Sequence, residues 1–326
     1  MNILGIDIAK TTFHVALMLP NGKLRHKQFA NTAAGFTALS HWLSAHKINQ
    51  VHGCLEATGT YGDALAEYLY QTGHRVSIVN PARIKAYAKS ELTRNKTDRI
   101  DATLIARYCE KQQPPSWTPP APELRELQIL VRHLDHLIET RAGLQVRLSE
   151  NRLVEPVAQS LRALIAAVDA EIKQLEQQIK RHFDQHPGLK AAHQLLTTID
   201  GIGSITATRL LAEIEHLQDY DHARQAAAYA GLTPRQNTSG ASLNGPTPLC
   251  KIGNARVRHA LYWPAITALR YNPIIKEFGQ RLAARGKHKM VIIGAAMRKL
   301  VHLAYGVLKS GRPFDPDFVK NRNVIS

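Results

Sequence analysis

The sequence predicts an α/β domain with a mixed sheet at the N-terminus, followed by all-α regions. In the first 112 residues, short apolar runs alternate with amphipathic segments of helical length. After a cluster of five prolines, apolar residues recur at the three- and four-residue spacing of helices. With 326 residues the chain is long enough for two or three domains, each with its own core.

The N-terminal elements follow from apolar runs and the turn residues between them. Strands are predicted at 3–8, 13–19 and 23–29, the last two joined by the Asn21-Gly22 turn. An amphipathic helix at 33–46, a strand at 51–55, a helix at 61–71, a strand at 75–79 stopped by Asn80-Pro81, and a helix at 98–112 follow in order. Three antiparallel strands and then helix-strand-helix-strand-helix is the element order of an RNase H-like domain.

A stiff linker and two long helices are predicted next. The linker contains Pro114, Pro115, Pro119, Pro120 and Pro122. Beyond it, leucines from Leu127 to Leu148 form a coiled-coil-like series interrupted by Arg141, and a second series runs from Ile165 to Ile179. These helices either mediate self-association or span between domains, or form an ordinary hairpin packed on a neighbour.

The C-terminal region contains a short motif between two helical patterns. Residues 199–204, Ile-Asp-Gly-Ile-Gly-Ser, resemble a helix-hairpin-helix turn, whose backbone amides can hold a phosphate; a plain interhelical turn is the alternative. The predicted domains are therefore 1–120, 121–186 for the coiled-coil-like helices, and 187–326.

The net charge of +16, with a pI near 9.9, predicts a polyanionic partner. Residues 240–326 contain fifteen Lys and Arg against three acids and contribute +12 of this charge. The only long apolar stretch, 290–308, contains Arg298, Lys299 and His302, so we expect no membrane span. Three cysteines far apart support neither a disulfide framework nor a zinc finger, and the protein is expected to be cytoplasmic.

Four acids fall at predicted element ends. Asp7 closes the first apolar run, Glu56 closes another, and Asp98 and Asp101 share one face of a helix. If they converge, their repulsion calls for cations, and two Mg²⁺ ions, about 4 Å apart, would activate a phosphodiester for cleavage. The alternative is that the helix dipole alone accounts for Asp98 and Asp101, and that Glu56 is a solvated strand end.

A second candidate is Ser239, which precedes Gly240 in a polar loop flanked by Arg235 and Lys251. On chemistry alone, such a serine usually serves the turn, and no His-Asp pair nearby would activate it.

Several separate motifs, in order, carry a family resemblance. They are Gly-Ile-Asp-Ile-Ala-Lys at 5–10, Glu-Ala-Thr-Gly-Thr-Tyr at 56–61, Asn-Pro at 80–81, Asn-Lys-Thr-Asp-Arg-Ile-Asp-Ala at 95–102, Ile-Asp-Gly-Ile-Gly at 199–203, Ala-Gly-Leu-Thr-Pro at 230–234, Ser-Gly at 239–240 and Lys-Ile-Gly-Asn at 251–254, followed by Arg256 and Arg258. Over essentially its whole length the chain resembles the DEDD transposases of the insertion-sequence 110 family. It departs from their pattern at Asp200, where a proline is common.

The resemblance implies a RuvC-like N-terminal domain whose acidic set is Asp7, Glu56, Asp98 and Asp101, with Mg²⁺ or Mn²⁺, and a C-terminal transposase domain whose nucleophile is Ser239. Characterised members are recombinases guided by a bridge RNA that pairs with donor and target DNA, and they form a covalent phosphoserine. It also implies a dimer or tetramer in which the acids of one subunit meet the serine of another. Arg235, Lys251, Arg256 and Arg258 are then expected to contact nucleic-acid phosphates.

Three other readings remain open. A metal-dependent nuclease or junction resolvase would use the acids with water as nucleophile. The segment 5–12 also resembles the phosphate loop of sugar kinases and actin-like ATPases, although a second glycine-rich phosphate motif is missing and the basic charge is unexplained. A non-catalytic RNA-binding protein would lack the aromatic-rich motifs expected of it.

Overall fold

The computed structural model describes residues 1–57, 59, 61–91, 97–150, 152–215, 217–235 and 247–317, and the backbone of 238–239 and 243–244. The chain divides into two compact units, Met1–Pro119 and Pro120–Ser326. The first is an α/β unit and the second is mainly helical, as the sequence predicts.

The first unit is built on a five-stranded mixed sheet. Its strands are β1 (Asn2–Ile8), β2 (Thr12–Met18), β3 (Leu24–Ala30), β4 (Val51–Glu56) and β5 (Arg75–Val79), and its helices are α1 (Ala33–Ala45), α2 (Asp63–Gln71), α3 (Pro81–Ser90) and α4 (Asp98–Gln112). The strand order is β3-β2-β1-β4-β5. The central strand of this order is β1, the first strand in the chain. It is antiparallel to β2 and parallel to β4.

The two faces of the sheet contact different helices, because successive side chains of a strand point to opposite faces. Leu4 and Ile6 of β1 belong to the core that contains Leu39 of α1 and Leu65 of α2. Ile3 belongs to the other core, which α3 and α4 cover. Odd-numbered positions of β1 therefore face α4.

Helix α3 was not predicted from the sequence. Asn80-Pro81 was interpreted only as the end of a strand, but the Asn80 side chain also caps the helix by accepting from the Ala82 amide at 2.8 Å. Pro81 occupies the first helical turn, where its missing N–H costs nothing. The same two residues thus end β5 and begin α3.

The proline segment begins as part of the first unit. The Trp117 amide donates to the Val76 carbonyl of β5 at 2.7 Å, and Ser77 Oγ donates to the Pro115 carbonyl at 2.7 Å. The boundary between the units falls beyond these contacts, between Pro119 and Pro120.

The second unit has one core around a long C-terminal helix. Its elements are α5 (Pro122–Leu148), α6 (Glu155–Gln185), α7 (Pro187–Thr197), α8 (Ser204–Glu213), a 3₁₀ helix (Leu217–Asp219), α9 (Ala223–Tyr229), β6 (Thr238–Ser239), β7 (Leu243–Asn244), α10 (Ala255–Tyr271), α11 (Pro273–Ala284) and α12 (Lys289–Ser310). Among the described residues, only α12 is long and apolar enough to cross a membrane. Leu300 and Val301 of α12 are fully buried in the core, so packing accounts for its apolar composition.

Helices α5 and α6 form an antiparallel hairpin within this unit. Leu127 of α5 and Ile179 of α6 are buried in the same core as α8 and α12. Arg141, which interrupts the leucine series, pairs with Asp169 of α6 at 3.0 Å. A polar pair therefore replaces apolar packing at this position of the hairpin.

A short turn joins α7 to α8 at residues 199–203, an arrangement that both the helix-hairpin-helix resemblance and a plain interhelical turn predict. Gly201 has a φ of 101° and lies against α10, where a β-carbon would be 2.7 Å from that of Ala268. Asn272 Nδ2 donates to the Asp200 carbonyl at 3.1 Å, so the turn is held between α10 and α11. The three cysteines are free thiols.

Candidate active site and serine hairpin

Asp7 and Glu56 emerge at the same edge of the sheet. β1 and β4 are parallel neighbours, and Ile6 of β1 lies beside Leu55 of β4. The next residue on each strand is the acid, so Asp7 and Glu56 lie side by side at the carboxyl ends of β1 and β4. Both acids occupy positions on the face of the sheet that α4 covers. Side chains an even number of residues apart in a strand share a face, and Ile3 in β1 and Cys54 in β4 belong to the core between the sheet and α4.

A glycine lets α4 approach that face. A β-carbon on Gly5 would lie 2.2 Å from the Ala102 carbonyl oxygen and 2.4 Å from the Ala106 nitrogen. Thr97 caps the start of α4 by accepting from the Ile100 amide at 3.3 Å. Asp98 and Asp101 therefore stand in the first turn of a helix that lies directly on β1.

The four acids share one electrostatic environment. Burial, followed by the charges of Asp101, Asp98 and Glu56, raises the pKa of Asp7 to about 6. The structure therefore brings the sequence-predicted acids together within interaction range. A carboxyl group with a pKa near neutrality can both release and accept a proton under cellular conditions.

His14 also lies beside these acids, although it is not among the site residues predicted from the sequence. It lies across from Asp7 in the β1–β2 ladder. Its Nδ1 is 3.4 Å from Asp98 Oδ2, and it partly offsets the rise in the pKa of Asp7. The signal was available in the register of the predicted hairpin, since strands at 3–8 and 13–19 with a short turn place residue 14 beside residue 7.

The acids do not form a closed metal cage by themselves. Within the described ranges, no three His, Cys, Asp or Glu side chains are grouped closely enough to enclose a metal ion. Asp98 is 67% exposed, so the site is open on the α4 side. Mg²⁺ is usually held by one or two carboxylates together with substrate phosphates and water rather than by an all-protein cage. The chemistry and openness of this set therefore fit a Mg²⁺ ion that completes its coordination with a phosphodiester.

Ser239 lies in a small antiparallel hairpin of the second unit. Ser239 of β6 pairs with Leu243 of β7. The chain segments before β6 and after β7 are joined by two backbone hydrogen bonds. The Arg235 amide donates to the Pro248 carbonyl at 2.8 Å, and the Cys250 amide donates to the Thr233 carbonyl at 2.8 Å. We call residues 232–250 the serine hairpin. Gly240, Ser242 and the motif residues Asn95 and Lys96 lie outside the described residues.

The four basic residues predicted to contact nucleic acid differ in their surroundings. Arg235 is exposed in the first arm of the serine hairpin, Lys251 is exposed directly after the second arm, and the Arg256 side chain is 53% exposed at the start of α10. Arg258 points inward instead. Its Nη1 donates to the Ala230 carbonyl at 3.0 Å and to the Gly253 carbonyl at 3.1 Å.

Comparison with known proteins gives the family. A pilin gene-inverting protein of Moraxella bovis is 38% identical over 316 residues, which cover 96% of this chain and 97% of that protein. The chain belongs to the IS110 family of transposases. The pilin gene-inverting protein of Moraxella lacunata is 37% identical over the same share of both chains, and the transposase of insertion element IS1328 of Yersinia enterocolitica is 26% identical over 96% of this chain and 98% of its own.

Two models of IS110-family transposases divide the candidate residues between them. The DEDD transposase model, described as "Transposase", matches residues 4–153, which include the four acids and His14. The model described as "Transposase IS116/IS110/IS902 family" matches residues 193–280, which include Ser239 and the four basic residues. As an IS110-family transposase, the protein is a DNA-modifying enzyme, and its substrate is DNA.

Proposed function

We propose that this transposase cuts and rejoins DNA through a phosphoserine intermediate at Ser239, with Asp7, Glu56, Asp98 and Asp101 holding Mg²⁺ or Mn²⁺. The observation that supports it best is the set of four interacting acids at one edge of the sheet, where burial, together with the charges of the other three acids, raises the pKa of Asp7 to about 6. The β3-β2-β1-β4-β5 order, with Asp7 and Glu56 at the carboxyl ends of the parallel neighbours β1 and β4, supports an RNase H-like, RuvC-like assignment of the first unit.

The chemistry is a transesterification. Oγ of Ser239 forms a bond to phosphorus, the bond from phosphorus to one deoxyribose oxygen breaks, and the serine proton ends on that leaving oxygen. The number of phosphoester bonds does not change, so the reverse step rejoins DNA without a nucleotide cofactor. A divalent cation would polarise the phosphodiester and stabilise the charge that develops on the entering and leaving oxygens.

Sequence choice is proposed to come from a guide RNA. Arg235, Lys251 and Arg256 are exposed and can bind phosphates, a contact that carries no base information. The +12 charge of residues 240–326 fits a protein that holds both DNA and RNA. A dimer or tetramer in which the acids of one subunit act together with the serine of another is also part of the proposal.

The test of the nucleophile is a pair of serine variants. Full-length protein with its copurifying RNA is mixed with a labelled plasmid that carries the gene and its native flanking DNA, and the products are separated under denaturing conditions. Three proteins are compared: wild type, Ser239→Ala, and the control Ser242→Ala, which removes a hydroxyl three residues away. Wild type and Ser242→Ala should leave DNA attached to protein, whereas Ser239→Ala should yield neither linked nor cut DNA. Cutting by Ser239→Ala at the wild-type rate would replace this proposal with a water-using nuclease.

The metal part has its own test. Asp7→Asn, Glu56→Gln, Asp98→Asn and Asp101→Asn should each abolish DNA cleavage and weaken Mn²⁺ binding, which paramagnetic resonance measures without any reaction. The matched control is Glu91→Gln, which removes an acid of the same unit that pairs with Lys111 away from the site. Wild-type Mn²⁺ binding in any of the four variants would remove that residue from the metal site.

The second candidate function is a metal-dependent nuclease or junction resolvase. One observation favours it: all four acids lie within the first unit, so the acidic set includes no residue of the unit that contains Ser239. The serine variants distinguish it directly.

A further inference from the structure

The last residue of α8, Glu213, carries a buried carboxylate held from two directions. Its side chain is only 3% exposed. Arg132 of α5 contacts both oxygens, Nε donating to Oε1 at 2.8 Å and Nη2 donating to Oε2 at 3.1 Å. A buried carboxylate is tolerated when its oxygens accept hydrogen bonds from a cation in this paired geometry.

Asn254 connects this carboxylate to the start of α10. Its Nδ2 donates to Glu213 Oε2 at 2.9 Å. Its Oδ1 accepts from the amides of Arg256, at 2.9 Å, and Val257, at 3.2 Å, and so caps the helix. A flipped amide would place an oxygen against the carboxylate and an NH₂ group against the helix amides, so Glu213 fixes which way Asn254 faces.

The same contacts hold both ends of the serine hairpin. The Asn254 amide donates to the Tyr229 carbonyl at 2.7 Å, and Tyr229 Oη donates to the Glu213 carbonyl at 3.0 Å. The Lys251 amide donates to the Gly231 carbonyl at 3.1 Å. Gly253, with a φ of 144°, fits tightly here, since a β-carbon on it would lie 2.3 Å from the Tyr229 carbonyl oxygen. The chain that enters the hairpin after α9 and the chain that leaves it before α10 are therefore joined beside Glu213.

The carboxylate also lies near an exposed cation. Arg256 Nε is 3.9 Å from Glu213 Oε1, although the Arg256 side chain is 53% exposed. The attraction to the Glu213 carboxylate favours one orientation of the Arg256 guanidinium, which remains exposed to solvent.

We propose that Glu213 and Asn254 are positioning residues for DNA cleavage, which hold the serine hairpin and Arg256 in the geometry that the reaction requires. This inference rests on the proposed role of Ser239. A nucleophile on a short hairpin gains its rate from being held at a fixed distance and angle, and small displacements cost about a hundredfold. In this proposal both residues act through the backbone of residues 229–231 and 251–254.

The experiment reverses the polarity of one hydrogen bond. Asn254→Asp keeps the oxygen that caps α10 but places a second carboxylate oxygen against Glu213, while Glu213→Gln removes the charge that Arg132 and Asn254 share. Each single variant should slow formation of protein-linked DNA at saturating DNA by about tenfold or more, with the DNA dissociation constant changed by less than about threefold. In the double variant, the glutamine amide can donate to the new carboxylate, so the rate should recover towards the wild-type value.

The control is a second ion pair between α5 and α8. Arg209 Nε of α8 donates to Asp135 Oδ1 of α5 at 2.9 Å, and Asp135→Asn weakens this pair without touching the hairpin. It should lower the thermal midpoint but leave the rate of protein-linked DNA formation at the wild-type value. If Asp135→Asn slows that rate as much as Asn254→Asp does, or if both single variants react at the wild-type rate, the inference is wrong.

A measurement without catalysis separates this inference from the proposed nucleophile. In Asn254→Asp, hydrogen exchange at the amides of Cys250 and Lys251 should become faster, because the joined ends of the hairpin loosen. If exchange becomes faster in Asn254→Asp while Ser239→Ala still cleaves DNA, the role of Ser239 as nucleophile is wrong but the role of the hairpin contacts stands. Unchanged exchange in Asn254→Asp would overturn the positioning role, whatever the nucleophile.

Discussion

Gly5 in β1 lies so close to Ala106 in α4 that a β-carbon at position 5 would be 2.4 Å from the Ala106 backbone nitrogen. Backbone atoms cannot move aside as a flexible side chain can, so Gly5→Ala should push α4 away from the sheet. We expect a loss of about 1–3 kcal/mol in the free energy of unfolding, together with loss of DNA cleavage as Asp98 and Asp101 are displaced. Urea unfolding and the plasmid assay measure the two effects.

The matched control for that substitution is Gly143→Ala. Gly143 lies within α5, and a β-carbon there would meet no atom within 4 Å. This variant should gain about 0.5–1 kcal/mol from its helix propensity. A Gly5→Ala protein as stable as wild type would show that the contact between β1 and α4 is looser than described.

The pKa of Asp7 predicts a pH-dependent gain of stability in Asp7→Asn. The pKa is about 6 in the folded state and 3.8 without the fold, so between these values the folded state binds more protons than the unfolded state. The contribution of protonated Asp7 to the free energy of unfolding is therefore fully present below pH 3.8 and is lost as the pH rises through about 6. In a chelating buffer, Asp7→Asn should match wild type near pH ~4 and exceed its stability by about 1–2 kcal/mol at neutral pH, because solvent at this partly exposed site screens the repulsion.

Added Mg²⁺ provides the comparison for this pH experiment. It should stabilise wild type at neutral pH by compensating the acids, and stabilise Asp7→Asn much less. A stability difference that does not change with pH would contradict the raised pKa of Asp7.

Arg256 and Arg258 should respond differently to removal of their side chains. Arg256→Ala removes an exposed cation, so the slope of log affinity for DNA against log salt should fall by about one unit. Arg258→Ala leaves the carbonyls of Ala230 and Gly253 without their guanidinium donor, which should cost about 1–3 kcal/mol of stability and leave the salt slope unchanged. Salt titrations of DNA binding and thermal unfolding separate the two; equal slopes for both variants would contradict the inward orientation of Arg258.

The polar pair in the α5–α6 hairpin should contribute little to stability. Arg141 and Asp169 are 35% and 42% exposed, so their attraction is screened by water. Arg141→Leu continues the leucine series and should change the free energy of unfolding by less than about 1 kcal/mol. A loss of several kcal/mol would show that the pair holds the hairpin together.

Much of the first unit could be predicted because its signals are local. The runs that end at Asp7 and Glu56 identify strands, and parallel pairing of β1 and β4 places both acids at one edge. Helix α3 was missed because Asn80-Pro81 both ends a strand and begins a helix. His14 was missed because its relation to Asp7 arises from pairing between strands and not from spacing along one of them.

The second unit was harder to predict because its polar contacts are distant in sequence. Glu213, in the segment Leu-Leu-Ala-Glu-Ile-Glu, has the appearance of a solvated helix end. Its partners Arg132 and Asn254 are 81 and 41 residues away, and no local pattern relates them. The family motif and the clustered positive charge predict that both Arg256 and Arg258 contact phosphates, but their positions on α10 give them different surroundings.

The acids at positions 7, 56, 98 and 101 all precede the boundary at residue 119, whereas Ser239 lies far beyond it. A ribosome adding about 5–20 residues per second needs roughly 10–40 s to make the rest of the chain after that boundary. A nascent chain stalled well past residue 119 should therefore already resist protease across its first unit. On the proposed mechanism, the unfinished polypeptide carries the acidic half of the chemistry but not the nucleophile, so translation must be completed before the protein can join itself to a chromosome.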